Sequence, residues 1–281
     1  MNTHQTGLST RLLATLAMAF MLFPLLTVIP VSFTSKRYLS MPNGSWSLRH
    51  YEALLGNPEW MASILQSLGI ALATSIIATA LAVSFSLGIW YLRSRLATVL
   101  IGLVLLPMAI PPVISALVLY FMETNLGRIA PGFGYDTLPG VVIAHVVMVV
   151  PYGVVTMLVA LSQIDRRIEL ASRNLGASLM QTTFLVVMPN LKLGIASTAL
   201  LSFALSWEEV AVTLFITSVD VNTLPRRIWG GLRDNVDPSV AAISVLLIGI
   251  TLLVLCARLL LQYVAARKAR EAAGSAATAP A

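Results

Sequence analysis

The chain has 281 residues, 57% of them hydrophobic and only 11% charged, with a formal net charge of +6. A soluble chain carries about a quarter charged residues, so the charge deficit, more than the apolar excess, excludes a fold exposed to water on all sides. A single cysteine, Cys256, rules out an intrachain disulfide. The basic residues stand at the ends of apolar runs, which reads as membrane topology and not as a nucleic-acid surface.

Six apolar runs follow one another, over residues 12–33, 64–91, 98–121, 141–161, 195–215 and 240–261. Each can cross about 30 Å of hydrocarbon at about 1.5 Å per residue. They lack the period-two alternation of barrel strands, so the expected fold is an all-α membrane protein with six transmembrane helices. The first run follows Arg11 and contains Ala17-Met18-Ala19, a basic start and small residues of the kind a signal peptide carries. At about 22 residues it exceeds a signal core of about 7–15 and is expected to remain as a span.

Prolines fall inside the runs: Pro24 and Pro30, then Pro107, Pro111 and Pro112, then Pro151. Membrane helices tolerate them where neighbours satisfy the freed carbonyl, and the cluster in the third run is the expected bend. With the N-terminus inside, eleven basic residues lie on the cytoplasmic side: Arg11, Arg93, Arg95, Arg166, Arg167, Arg173, Lys192, Arg258, Arg267, Lys268 and Arg270. Seven remain outside: Lys36, Arg37, Arg49, Arg128, Arg226, Arg227 and Arg233. The bias supports cytoplasmic N- and C-termini. Residues 271–281, rich in alanine with Gly274 and Pro280, are expected to be a disordered cytoplasmic tail, leaving 1–270 as a single polytopic domain.

Residues 162–194 form the one sizeable loop expected on the cytoplasmic side, between the fourth and fifth runs. Ile164, Ile168, Ala171, Leu175 and Leu179 recur at helical offsets. Gly176 is placed to break or turn this helix, and Pro189 to stop the next segment before the fifth span. The loop therefore reads as a short amphipathic helix, a turn and a second short helix. Pattern alone leaves open whether it lies on the membrane surface or enters a groove on a partner.

The fifth run carries two carboxylates, Glu208 and Glu209. A charge at bilayer centre costs about 2.5–3.5 kcal/mol on insertion scales, so such residues face a bundle interior or an aqueous path. On a continuous helix Thr198, Ser202, Ser206, Glu209 and Thr213 form one polar stripe, with Glu208 about 100° away. Glu209 is therefore expected to line a translocation path, and Glu208 to pair with another helix or to be held protonated by desolvation. The alternative is that both are structural. Trp207 beside them reads as packing before it reads as a ligand. His4, His50 and His145 are scattered, and no metal-ligand cluster, H-E-x-x-H or nucleophile elbow is present in the sequence. No catalytic or metal site is expected, and His145 reads as hydrogen-bonded packing. No G-x-x-x-x-G-K-[ST] loop exists to bind ATP.

The stretch ELASRNLGASLMQTTFLVVMP, residues 169–189, resembles the EAA loop of bacterial ABC importer permeases. Ala171 and Ser172 precede Gly176, and after nine residues come Val186, Val187, Met188 and Pro189. By register the family's glutamate belongs at Leu170, so Glu169 stands one residue early. The resemblance implies a coupling helix that docks on a separate ATPase through Glu169, Ala171, Ser172, Gly176, Ala177 and Pro189. SWEEVAVTLFITS followed by TLPRRIWGGLRDNVDPSVAAISVLLI is similar to spermidine/putrescine permease subunits, most like the second of their two permeases. It carries the acidic pair Glu208 and Glu209, then Thr223, Leu224, Pro225, Ile228 and Trp229. SLRHYEALLGNPEW and AHVVMVVPYGV extend the similarity over roughly residues 11–265.

That resemblance implies a multi-pass inner-membrane permease with no catalysis of its own. Its partners would be a second homologous permease, two ABC ATPases that bind ATP and magnesium, and an extracytoplasmic solute-binding protein. Ser202, Ser206, Trp207, Glu208, Glu209 and Thr213 are the expected substrate path for a polyamine or another small organic solute. A proton- or cation-coupled secondary transporter using Glu209 is the alternative of a different class.

Overall fold

The computed structural model describes residues 7–92, 95–235, 237–253 and 256. In chain order the helices are α1 Leu8–Ser32, α2 Arg49–Gly56, α3 Pro58–Tyr91, α4 Arg95–Ala109, α5 Pro112–Ile129 and α6 Leu138–Ser162. After these come α7 Arg166–Asn174, α8 Leu179–Gln181, α9 Met188–Asn190, α10 Lys192–Glu208, α11 Ala211–Ile216, α12 Leu224–Gly230 and α13 Ser239–Leu253. Among the described residues the only β pairing is an isolated antiparallel bridge between Thr34 and Trp46. Arg93, Arg258, Arg267, Lys268 and Arg270, used above for orientation, and the tail 271–281 lie outside the described residues.

Among the described residues three helices, α1, α3 and α6, are long and apolar enough to cross a membrane, and two bent pairs raise the number to five if each pair is one span. The third apolar run is one such pair: α4 and α5 meet at 102°. Pro111 and Pro112 stand at the joint, and proline at a helix start has no N–H to leave unpaired. The proline cluster thus makes a sharp corner, as its sequence suggested. The fifth run corrects the expectation of an uninterrupted helix over 195–215. It joins the preceding segment Leu179–Asn190 at 71° and is broken again between α10 and α11.

The chain divides into two compact units, residues 1–57 with 230–281, and residues 58–229. In the first unit, Phe33 packs its ring 5.8 Å from Trp46 and 5.4 Å from Tyr51. Ser32 and the Tyr51 hydroxyl lie 2.7 Å apart, so the end of α1 is tied to α2. Of α1, only Ser32 is buried. Its apolar surface is unsuited to water and is what a bilayer or an apolar partner would cover.

The second unit is a bundle of α3, α6 and α10, with α4 and α11 packed on α6 and α5 packed on α11. One buried apolar cluster joins Ile70, Ala116, Leu119, Val141, Ala144, Val212 and Ile216. Another joins Ala82, Val83, Trp90, Val154, Met157, Leu161, Val187 and Leu191. The bundle is tight because small residues face one another, the means by which membrane helices approach closely. A Cβ on Gly153 would stand 3.0 Å from Ala82 Cβ and 3.2 Å from Thr198 Cγ2. Ser75 Oγ donates to the Ala199 carbonyl at 2.7 Å, bonding α3 to α10.

Candidate functional sites: a broken helix and an amphipathic loop

Two places in the second unit collect the residues singled out above. The first is the break after α10. Glu209 leaves helical geometry (φ −68, ψ 116) and α11 restarts at Ala211. Glu209 Oε1 accepts from the Val212 N–H at 2.9 Å, capping the new helix, while Thr213 Oγ1 donates to the Glu209 carbonyl at 3.1 Å. Thr198, Ser202, Ser206 and Thr213 are all buried, turned toward the bundle interior. His145 of α6 reaches Ser206 Oγ with Nδ1 at 2.8 Å and Thr213 Oγ1 with Nε2 at 3.2 Å.

The two carboxylates therefore sit differently from expectation. Neither is buried: Glu208 is exposed and Glu209 half-buried. Glu208 projects from the last turn of α10 and, among the described residues, is not paired with another helix. Trp207 stacks on Phe203 with ring centroids 5.9 Å apart, a packing role as read from the sequence.

The second place is the loop after α6. Asp165 caps α7 by accepting from the Arg167 N–H at 2.8 Å. Gly176 adopts φ 88, the left-handed turn that suits glycine after a helix. Ser178 and Gln181 then form a capping box for α8, and a wider π turn over Thr182–Val187 leads to α9. Pro189 lies in the first turn of α9, and the chain bends beyond it, at Leu191.

The buried face of α7 corrects the sequence pattern. Glu169 is 2% exposed and 3.6 Å from Arg173, and Ser172 shares a 3.1 Å hydroxyl contact with Thr182. Ala171, Leu175 and Leu179 of the expected apolar face are exposed, Leu175 at 89%, while Ile164 and Ile168 are half-buried. Arg166 donates to the Trp90 carbonyl at 3.1 Å and covers its ring, and Tyr91 meets Thr183 at 2.8 Å. The segment thus buries Glu169 and offers Leu170, Leu175, Leu179, Met180, Phe184 and Leu185 outward, an apolar patch of the kind that marks an interaction surface. Ala171, Gly176 and Pro189 are also exposed, and Ser172 and Ala177 are half-buried.

Two residues escaped sequence reasoning. Glu123 of α5 is wholly buried against the start of α6, where a Cβ on Gly140 would come within 2.6 Å of its Oε2. It stands just beyond the third apolar run, which ends at residue 121. Its signal was the glycines at 127, 134 and 140 that make room for the corner. Asp136 is the other. Its Oδ1 accepts from the N–H groups of Ser218 and Val221 (2.8 and 3.1 Å), and Oδ2 from Val219 and Asp220 (2.8 and 3.0 Å).

Burial alone would push the Asp136 carboxyl up, but the four N–H donors outweigh it and hold it below the ordinary aspartate range. A carboxyl lowered in the folded state contributes stability that is present above its ordinary pKa and lost as pH falls through about 3.9 toward the lower native value. Asp136 stands at φ 59, a region asparagine also tolerates, so thermal unfolding in detergent should give Asp136→Asn a lower midpoint than wild type at pH 7, by a few degrees. The gap should close as pH falls through 4, and a constant gap from pH 7 to 3 would remove the carboxylate as the clamp on residues 218–221.

Apolar helices long enough to span a bilayer, a carboxylate pair at a helix break and an amphipathic loop at one end of the bundle define a polytopic membrane permease. The chain belongs to the family of binding-protein-dependent transport system inner membrane components, whose family model matches residues 80–270. It is similar to the spermidine/putrescine transport system permease protein PotC of Haemophilus influenzae, 28% identical over 83% of this chain and 88% of that protein. It is also 29% identical to the putrescine transport system permease protein PotI of Escherichia coli K12, over 83% of each. Among solved structures, it shares the fold of a bacterial ABC transporter involved in the import of the acidic polysaccharide alginate. The TM-score is 0.52 at 17% identity, covering 92% of this chain and 95% of that one. The family is one of transport permeases, not of enzymes.

Proposed function

We propose that this permease is one of two in an ATP-driven importer and that its solute is a polyamine such as putrescine or spermidine. The observation that carries the substrate is the exposed Glu208 beside half-buried Glu209 at a helix break. An ammonium group shedding water needs a carboxylate partner, and a broken helix is where transporters set such groups near the bilayer midplane. Similarity to PotC and PotI supports the same solute class. We count the two bent pairs and α13 as one span each, giving six in one permease domain; an even number sets both termini on one side, and the distribution of basic residues makes that side the cytoplasm.

In this reading the outward leucines of α7 and α8 fill a groove on an ATPase, where ATP and magnesium are bound, and Gly176 sets the angle between the two short helices. Glu169 holds α7 down from within. A second permease closes the path, and an extracytoplasmic binding protein delivers the solute.

Affinity purification of the tagged chain from mild detergent, read by mass spectrometry, should recover a second multi-span permease and a nucleotide-binding subunit. Proteoliposomes of that complex should take up labelled putrescine or spermidine only with ATP on the ATPase side. Recovery of the chain alone in several detergents would sink the importer assembly. ATP-driven uptake of a different solute, with polyamines ignored, would sink the substrate.

A further inference from the structure

His145 lies on α6, against which α10 and α11 both pack, and its ring is 1% exposed. Its two hydrogen bonds run to opposite sides of the break. Ser206 belongs to the last turn of α10 and Thr213 to α11, with Glu209 and Val210 between the helices. One side chain therefore spans the only interruption between the two half-helices, and it does so within a layer of hydroxyls.

The direction of each bond follows from counting protons. A threonine hydroxyl has one proton to donate, and Thr213 directs it to the Glu209 carbonyl at 3.1 Å. Toward the ring Thr213 can only accept, so the proton sits on Nε2. In a neutral imidazole Nδ1 is then an acceptor and takes the Ser206 proton. The sequence of donors runs from Ser206 O–H to Nδ1, from Nε2–H to Thr213, and from Thr213 O–H to the Glu209 carbonyl. Every donor meets an acceptor, and the relay ends on the backbone of the acidic corner. Both ring contacts are to hydroxyls, so the uncharged ring is the form these surroundings accommodate.

We propose that His145 is a positioning residue for transport: as the Nε2–H imidazole it staples α10 to α11 and sets the angle at which Glu208 and Glu209 leave the bundle. The proposal rests on reading that corner as part of the solute path. A glutamine at 145 keeps one acceptor and one donor on a planar group, whereas leucine keeps only bulk. Likewise Thr213→Ser keeps the hydroxyl and Thr213→Val keeps only the shape.

The test has two arms. In the first, the full chain is labelled with ring-15N histidine in lipid nanodiscs, and the lines of His4 and His50 are assigned by replacing each with glutamine. His145 should show a protonated Nε2 and a bare Nδ1, and Thr213→Val should move that pattern while Thr213→Ser leaves it. A protonated Nδ1, a charged ring or indifference to Thr213→Val would overturn the staple. In the second arm, turnover is measured per assembled transporter, so that lost folding does not count as lost function. His145→Leu and Thr213→Val should lower maximal turnover about tenfold with little change in half-saturation, and His145→Gln and Thr213→Ser should restore most of it. Unchanged turnover in His145→Leu would overturn the positioning role. If the complex carries a solute other than a polyamine, turnover is read with that solute, and the tautomer result stands apart from it.

Discussion

Gly176→Val should leave the permease in the membrane but weaken its hold on the ATPase subunit by about five- to thirtyfold. The residue sits at φ 88, and no atom would lie within 4 Å of an added Cβ. The cost of a side chain there is therefore one of backbone geometry and not of collision. A left-handed conformation costs an ordinary residue about 1–2 kcal/mol, and a β-branched one is the least able to adopt it. About 1.4 kcal/mol is a factor of ten in an equilibrium constant. If docking requires this turn, the substitution makes each docking event re-form it. Asparagine, which tolerates the left-handed region, should be mild, alanine intermediate and valine severe. ATPase recovered per mole of permease in a titrated pull-down measures the series. Equal recovery for all three would mean that the α7–α8 angle does not matter for docking.

The second large effect is expected at the acidic corner. Glu208→Gln should raise the half-saturation concentration for polyamine uptake by about tenfold or more, because a charged hydrogen bond to a cation contributes about 1.5–3 kcal/mol. It should leave the thermal midpoint unchanged, since the side chain is exposed. Glu209 should behave in the opposite manner. Its Oε1 caps α11 through Val212, and glutamine keeps that acceptor, whereas alanine removes it at a cost of about 0.5–2 kcal/mol. Stability should follow the order wild type, Glu209→Gln, Glu209→Ala. Initial rates in proteoliposomes and unfolding curves on the same preparations separate the two residues. Normal uptake in Glu208→Gln with uptake lost in Glu209→Gln would exchange their roles.

The loop was legible in sequence where the reason is local. Gly176 as a turn and the proline cluster at 107–112 each act through the backbone of their own neighbourhood. Periodicity was a poorer guide in α7. Its apolar residues recur at helical spacing, yet Ala171, Leu175 and Leu179 are exposed, while Arg166 covers the indole of Trp90 and Ser172 meets the Thr182 hydroxyl. Glu169 is buried, and Leu170, at the register of the family's glutamate, is exposed.

Long apolar runs and the shortage of charge determined by themselves that this is a helical membrane protein. Those features are sums over many residues, and the cost of exposing apolar surface or burying charge does not depend on which helices meet. The break between α10 and α11 was decided only by tertiary structure. The stretch from Glu208 to Ala211 contains neither glycine nor proline, and no local rule ends a helix there. The break is held by His145, sixty-one residues away from Ser206 in sequence, together with the Glu209 cap on Val212. The fourfold clamp of Asp136 on residues 218–221 has the same origin. It depends on backbone groups brought in from a distant part of the chain, and nothing in the local sequence records that meeting.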